Sequence, residues 1–253
     1  MKKALLVVSF GTVVPQARAS IDAVEAALRD AVPQRDFFHA FTSPMLRRIL
    51  ADRGETIPGL EEALEQLHAQ GYDDVIVQPT HVLYGGEYDK LRETADSFSG
   101  SFVRLTLGKP LMADAEDLVA LAGIVRLRHP ADDALLLLGH GTKHFANMVY
   151  PALQTALRLQ GCENAYVGTV KGWPGFEEVL AQLRRDGRRE VLIAPLMLAA
   201  GGHALRDMAG EDEHSWKSRL EKEHFSVRCH MEGLGALPEV QALYREHLLR
   251  NPG

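Results

Sequence analysis

Short apolar runs alternate with amphipathic stretches along the whole chain, and the two periods predict strands alternating with helices. Residues 4–9, 37–42, 75–78 and 102–105 read as strands of a first lobe, and residues 135–138, 165–168, 191–195 and 226–230 as strands of a second. Stretches 17–31, 59–69, 114–128 and 175–186 read as helices between them. In the last of these, Phe176, Val179, Leu180 and Leu183 recur at helical spacing and define a buried face. The run 135–138 is apolar at every position, the pattern of a central parallel strand covered on both faces. The predicted fold is therefore α/β, with two similar doubly wound lobes built on parallel sheets, residues 1–112 and 113–253. Gly108, Lys109 and Pro110 interrupt the pattern near that boundary, and residues 129–133 form a short loop into the central strand of the second lobe.

The two lobes echo each other in sequence. Residues 64–88 read LEQLHAQGYDDVIVQPTHVLYGGEY and residues 180–204 read LAQLRRDGRREVLIAPLMLAAGGHA. Leu64, Gln66, Leu67, Gly71, Pro79 and Gly86 recur at one constant offset as Leu180, Gln182, Leu183, Gly187, Pro195 and Gly202. LLVVSFGT at 5–12 is echoed by LLLLGHGT at 135–142. Glycines cluster just after predicted strands (Gly11, Gly85-Gly86, Gly141, Gly201-Gly202), at the strand ends where open α/β sheets gather their ligands. The differences between the copies carry the chemistry: Phe10 becomes His140, and Glu87 becomes His203. Matching loops of two facing lobes are expected to present two histidines and a glutamate, the outline of a metal-handling cleft.

Composition narrows the classes without choosing among them. A net charge of −6 argues against a nucleic-acid phosphate partner, and the pairs Arg184-Arg185 and Arg188-Arg189 fit a solvated helix end. The apolar opening stops at Phe10 with no small-residue cleavage site, so a buried first strand is expected rather than a leader. No run approaches the ~18 apolar residues of a membrane span, so no membrane partner is expected. Cys162 and Cys229 lie far apart and indicate neither a disulfide framework nor a thiolate metal site, which leaves the cytoplasm as the expected compartment.

His140 stands between Gly139 and Gly141 directly after a strand, where glycines let the backbone approach a ligand closely. An imidazole there can act as a base near neutral pH or as a metal ligand. His203 follows Gly201-Gly202, in the setting that Glu87 occupies in the first lobe. Imidazole and carboxylate both suit a borderline divalent metal. Glu87 also sits where a carboxylate would favour a helix N-terminus. His81 matches Met197 in the repeat and reads as inward and partly apolar, while His144 is placed at the entrance. Ser9 reads as a strand-end residue. No phosphate loop, GxSxG elbow or HExxH helix occurs, so ATP hydrolysis is not expected.

The segments VVSFGT (7–12), QPTHVLYGGEYDKL (78–91), LLGHGT (137–142), VGTVKGWP (167–174) and PLMLAAGGHALRDMAGEDEHSW (195–216) together resemble the anaerobic cobalt chelatases of vitamin B12 synthesis. That class inserts Co²⁺ into sirohydrochlorin without ATP and shares a bilobal fold with ferrochelatases. The resemblance implies that His140 is a proton acceptor and metal ligand, His203 a second ligand and Glu87 an acidic residue of the cleft. It also implies a ligand glutamate in the VGTVxG segment, where this chain has Lys171. A protonated amine repels a divalent cation and has an unperturbed pKa of about 10.4, so Lys171 cannot simply replace that ligand. Either metal affinity is weaker here, or Glu87 completes the site, or Lys171 instead pairs with a carboxylate of the macrocycle, as Arg206 could through its fork of donors. Phe10, Gly11, Thr12, Tyr84 and Met197, with Leu83 and Leu198, are expected to line it.

Metal entry requires two pyrrolic protons to leave, so one histidine is expected to take a proton while the other, with a carboxylate, holds the metal. Co²⁺ is the expected substrate metal, with Fe²⁺ or Ni²⁺ as alternatives that suit the same ligands. An iron chelatase for sirohaem and a non-catalytic metal or tetrapyrrole binder are the competing readings. Lys171 favours the binder. A homo-oligomer is compatible with the sequence, which shows no exposed apolar helix as its interface.

Overall fold

The computed structural model describes residues 1–129 and 134–250; the greater part of the loop read at 129–133 lies outside them. In chain order the first strands and helices are β1 (Lys3–Ser9), α1 (Pro15–Ala31), β2 (Asp36–Phe41), α2 (Pro44–Asp52), α3 (Leu60–Ala69), β3 (Asp74–Pro79), α4 (Gly86–Ser97) and β4 (Arg104–Leu107). They are followed by α5 (Ala115–Arg128), β5 (Ala134–Gly139), α6 (Val149–Leu159), β6 (Ala165–Thr169) and α7 (Phe176–Arg185). The chain closes with β7 (Glu190–Pro195), α8 (Trp216–Lys222), β8 (Ser226–Cys229) and α9 (Pro238–Arg250). Two sheets result, ordered β2-β1-β3-β4 and β6-β5-β7-β8, and their pairings among the described residues are parallel. No described helix is long and apolar enough to cross a membrane.

The central strands explain why the sheets are covered on both sides. Ala4, Leu6 and Val8 of β1 enter one apolar cluster with Leu60, Leu64 and Leu67 of α3, while Leu5 and Val7 are equally buried on the opposite face. In β5, Ala134, Leu136 and Leu138 join Val179, Leu180 and Leu183 of α7, and Leu135 and Leu137 fill the other side. The helical face read from residues 176–183 is thus the face that meets the sheet.

The repeat extends to individual hydrogen bonds. Thr80 donates its backbone N–H to Val8 O at 2.9 Å, and Leu196 donates to Leu138 O at 2.8 Å. Gly85 donates to Leu83 O and Gly201 to Ala199 O, both at 2.9 Å. Leu111 donates to His81 O and Leu234 to Met197 O, again both at 2.9 Å. Equivalent loops leave equivalent strands with the same backbone turns.

Two details differ from the sequence reading. The strand expected at 102–105 lies at β4, because pairing begins with Arg104 opposite Asp74, and Phe102 instead contributes its buried ring to the core. The larger difference concerns the C-terminus. The chain divides into Met1–Ala113 with Gly235–Gly253 as one unit and Asp114–Leu234 as the other, so the last helix does not group with residues 114–234 as the 113–253 reading implied. α9 packs on α1, buries Val240, Tyr244 and Leu248, and donates the Tyr244 hydroxyl to Thr80 O at 2.7 Å.

Candidate metal centre

Three loops at the carboxyl ends of β5, β6 and β7 build a site within the second unit. β5 ends at Gly139, and the next residue is His140. Gly141 then adopts φ +75°, a left-handed conformation that L side chains rarely tolerate. A Cβ there would fall 2.6 Å from Gly172 N and 2.7 Å from Thr169 Cβ, so the β5 and β6 loops approach as closely as glycine permits. Hydrogen bonds fasten the two together. Val170 donates to Gly139 O at 3.0 Å, and Lys171 donates its backbone N–H to His140 O at 2.8 Å. Buried Asn147 accepts from Thr142 N at 3.0 Å and donates to Trp173 O. His144 accepts from Ala146 N and caps a short turn, a local structural role.

The β7 loop delivers the second imidazole. Where the first unit continues from Glu87 into α4, the second has His203 entering a π-helical turn, Ala204–Met208. Such turns recur at functional sites because the wider ring re-aims side chains. The His140 and His203 rings meet edge to face, with centroids 4.4 Å apart and planes inclined by 73°.

Each ring is tied through its Nδ1. In His140, Nδ1 lies 3.0 Å from Gly141 O, and a carbonyl can only accept, so the neutral ring carries its proton there. In His203, Nδ1 lies 2.7 Å from Asp207 Oδ2, again an acceptor. In the neutral form of each ring Nε2 therefore carries the lone pair, the form that binds a metal or takes a proton. Burial is the largest influence on His140 and lowers its pKa below 6.5; its bond to Gly141 raises it, His203 and Lys171 lower it further, and Asp207 raises it. The imidazole is therefore a free base at neutral pH.

Of the other expected residues in this unit, the Lys171 and Arg206 side chains are exposed, and Met197 is half-buried beyond β7. Among the described residues no group of three or more His, Cys, Asp and Glu side chains is arranged to hold a metal. Sequence reading overlooked Asp207 and Asn147. The four-residue spacing from His203 to Asp207 was the available clue for the first; the cross-loop role of Asn147 had none.

In the first unit, Glu87 lies in the first turn of α4 and pairs with Lys90 Nζ at 2.7 Å. Phe10 is exposed, Thr12 is buried and accepts from Val14 N, and Gly11 adopts φ +96° with Phe41 packed against it. The Tyr84 ring meets Tyr88 edge to face at 4.7 Å. Ser9 is fully buried and accepts a hydrogen bond from Thr80, a structural role. Both nitrogens of His81 are sealed from solvent without a hydrogen-bond partner, and burial lowers its pKa to about 4 against a smaller opposing pull from Glu87.

Comparison with known families decides what this arrangement belongs to. The description "Cobalt chelatase (CbiK)" matches residues 3–251. The chain belongs to the cobalt chelatase family. Within it, the sirohydrochlorin cobaltochelatase of Salmonella typhimurium is 39% identical over 253 residues, covering 98% of this chain and 96% of the relative. The sirohydrochlorin cobaltochelatase CbiKC of Nitratidesulfovibrio vulgaris is 32% identical over 234 residues, covering 90% and 82%. The solved structure of SirB from Bacillus subtilis with Fe³⁺ has the same fold, with a TM-score of 0.68 at 19% identity, covering 99% of this chain and 96% of that one. The sirohydrochlorin chelatase SirB of Bacillus subtilis subspecies spizizenii, in complex with cobalt, also gives a TM-score of 0.68, at 18% identity and 99% and 95% coverage. The α/β fold with parallel sheets is thus the chelatase fold.

Proposed function

We infer that this protein inserts Co²⁺ into sirohydrochlorin, without ATP, on the anaerobic route to cobalamin. Both cysteines are free thiols, in keeping with a reducing cytoplasm. The observation that carries the reading is the edge-to-face pair of His140 and His203, each tied at Nδ1 and each with a free Nε2. Similarity to two sirohydrochlorin cobaltochelatases over most of the chain supports the substrate.

The chemistry follows from what metalation requires. Two pyrrolic N–H protons must leave as the divalent ion enters, so the macrocycle keeps its net charge. His140, a free base at neutral pH, accepts a proton at Nε2 and returns it to solvent before taking the next. His203 Nε2 holds Co²⁺ for transfer. Lys171 and Arg206 pair with carboxylates of the macrocycle, Met197 packs against it, and Glu87 contributes a carboxylate to metal handling. Phe10, Gly11, Thr12 and Tyr84 are assigned to the macrocycle on the strength of the repeat.

An absorbance time course with sirohydrochlorin tests this, run with Co²⁺ and Fe²⁺ side by side. The wild type should metalate with Co²⁺ well above the uncatalysed rate, and His140→Ala and His203→Ala should each lower that rate at least a hundredfold. Glu87→Gln should lower it less, and Lys171→Glu should raise capture at limiting Co²⁺. A wild type that binds the macrocycle but matches the uncatalysed rate would make this a binding protein. A strong preference for Fe²⁺ would move it to sirohaem synthesis.

A further inference from the structure

Asp207 lies beyond the internal repeat that singled out the histidines, yet its carboxylate touches one of them. Oδ2 stands 2.7 Å from His203 Nδ1, and the two side chains are 29% and 35% exposed. At that length a charge-assisted bond is well formed, and it is partly shielded from water. The two residues have i,i+4 spacing in the less favourable order for a helical pair, base before acid. The bond also has a direct consequence for the ring. An imidazole without a fixed partner divides its proton between two nitrogens, and the tautomer with hydrogen on Nε2 can neither bind a metal nor take a pyrrolic proton there. His140 has Gly141 O for the same purpose, but a neutral carbonyl supplies no charge. With the Lys171 ammonium adding positive potential at His140, Asp207 is the carboxylate joined to this pair.

We propose that Asp207 is a positioning residue for metal capture: it holds His203 in the Nδ1–H tautomer and gives the imidazole pair its bonded negative charge. The proposal rests on the reading of His203 as a metal ligand. It requires no contact between Asp207 and the metal. Outer carboxylates of this kind typically strengthen metal binding 10- to 100-fold.

The test uses the full chain without macrocycle, as wild type, Asp207→Ala and Asp207→Asn. Imidazole ¹⁵N spectra read the His203 tautomer, calorimetry reads Co²⁺ affinity, and thermal melting confirms the fold. The wild type should show the Nδ1–H form. Asp207→Ala should show a tautomer mixture and bind Co²⁺ about 10- to 100-fold more weakly. Asp207→Asn, whose amide oxygen still accepts from Nδ1–H, should keep the tautomer and lose less affinity; it also carries the test if the alanine variant melts early. A folded Asp207→Ala with wild-type tautomer and wild-type affinity would overturn the proposal. Wild-type Co²⁺ binding that depends on Asp207, without any insertion into sirohydrochlorin, would instead leave the proposal standing and refute the assigned reaction.

Discussion

Replacing Gly141 by alanine tests whether the site depends on how closely two loops approach. The added methyl group meets two independent costs. At φ +75° an L residue is strained by about 1–2 kcal/mol. The new Cβ also lies 2.6 Å from Gly172 N and 2.7 Å from Thr169 Cβ, where ordinary contact begins at 3.4 Å, so the β6 loop must retreat by roughly 0.8 Å. Overpacking of this kind costs about 1–3 kcal/mol, because Thr169 is buried at a strand end and Gly172 N is held by its hydroxyl at 3.1 Å. Gly161 provides the control: its φ is +81°, but nothing lies within 4 Å of its Cβ position, so Gly161→Ala carries the backbone cost alone. Urea melts of the two variants should therefore differ by about 1–3 kcal/mol, with Gly141→Ala the less stable. Because His140 bonds both to Gly141 O and, through its own carbonyl, to Lys171 N, a displaced loop also displaces the imidazole. An error approaching 1 Å can cost about a hundredfold in rate, so cobalt insertion should fall by about that factor at a temperature where the variant is folded. Equal stability of the two variants, together with undiminished insertion by Gly141→Ala, would show that the loops yield freely and refute the argument.

Two further predictions concern the frame around the site. His81 binds its proton less readily folded than unfolded, so its contribution is intact above pH 6.5, is lost as pH falls toward about 4 and changes little below that. At 1.36 kcal/mol per pH unit the loss approaches about 3 kcal/mol, and His81→Leu should flatten the stability curve across that window; an unchanged slope would place the effect elsewhere. Arg35 and Asp74 form a bidentate pair at 2.9 and 3.0 Å with side chains only 7% and 2% exposed. Arg35→Met should destabilise the protein by about 3–5 kcal/mol by stranding the buried carboxylate, and adding Asp74→Leu should recover most of it; equal melting midpoints for the single and double variants would contradict this.

Much of this protein is local and therefore legible in its sequence. Continuous apolar runs specify β1 and β5 because a strand buried on both faces needs apolar residues at every position. The repeat revealed that the loops after β3 and β7 are equivalent, and the exchange of Glu87 for His203 on those loops singled out the histidine. Tertiary structure decided what sequence spacing does not encode. The return of α9 to the first unit is set by its packing on α1 and by the hydrogen bond from Tyr244 to Thr80, residues far apart in the chain. The tautomers of His140 and His203 depend on which acceptor stands beside each Nδ1, and the close approach behind Gly141 depends on where the β6 loop turns. Residue type sets which chemistry is available; the proton positions and distances that make it usable come from partners that only the folded chain brings together.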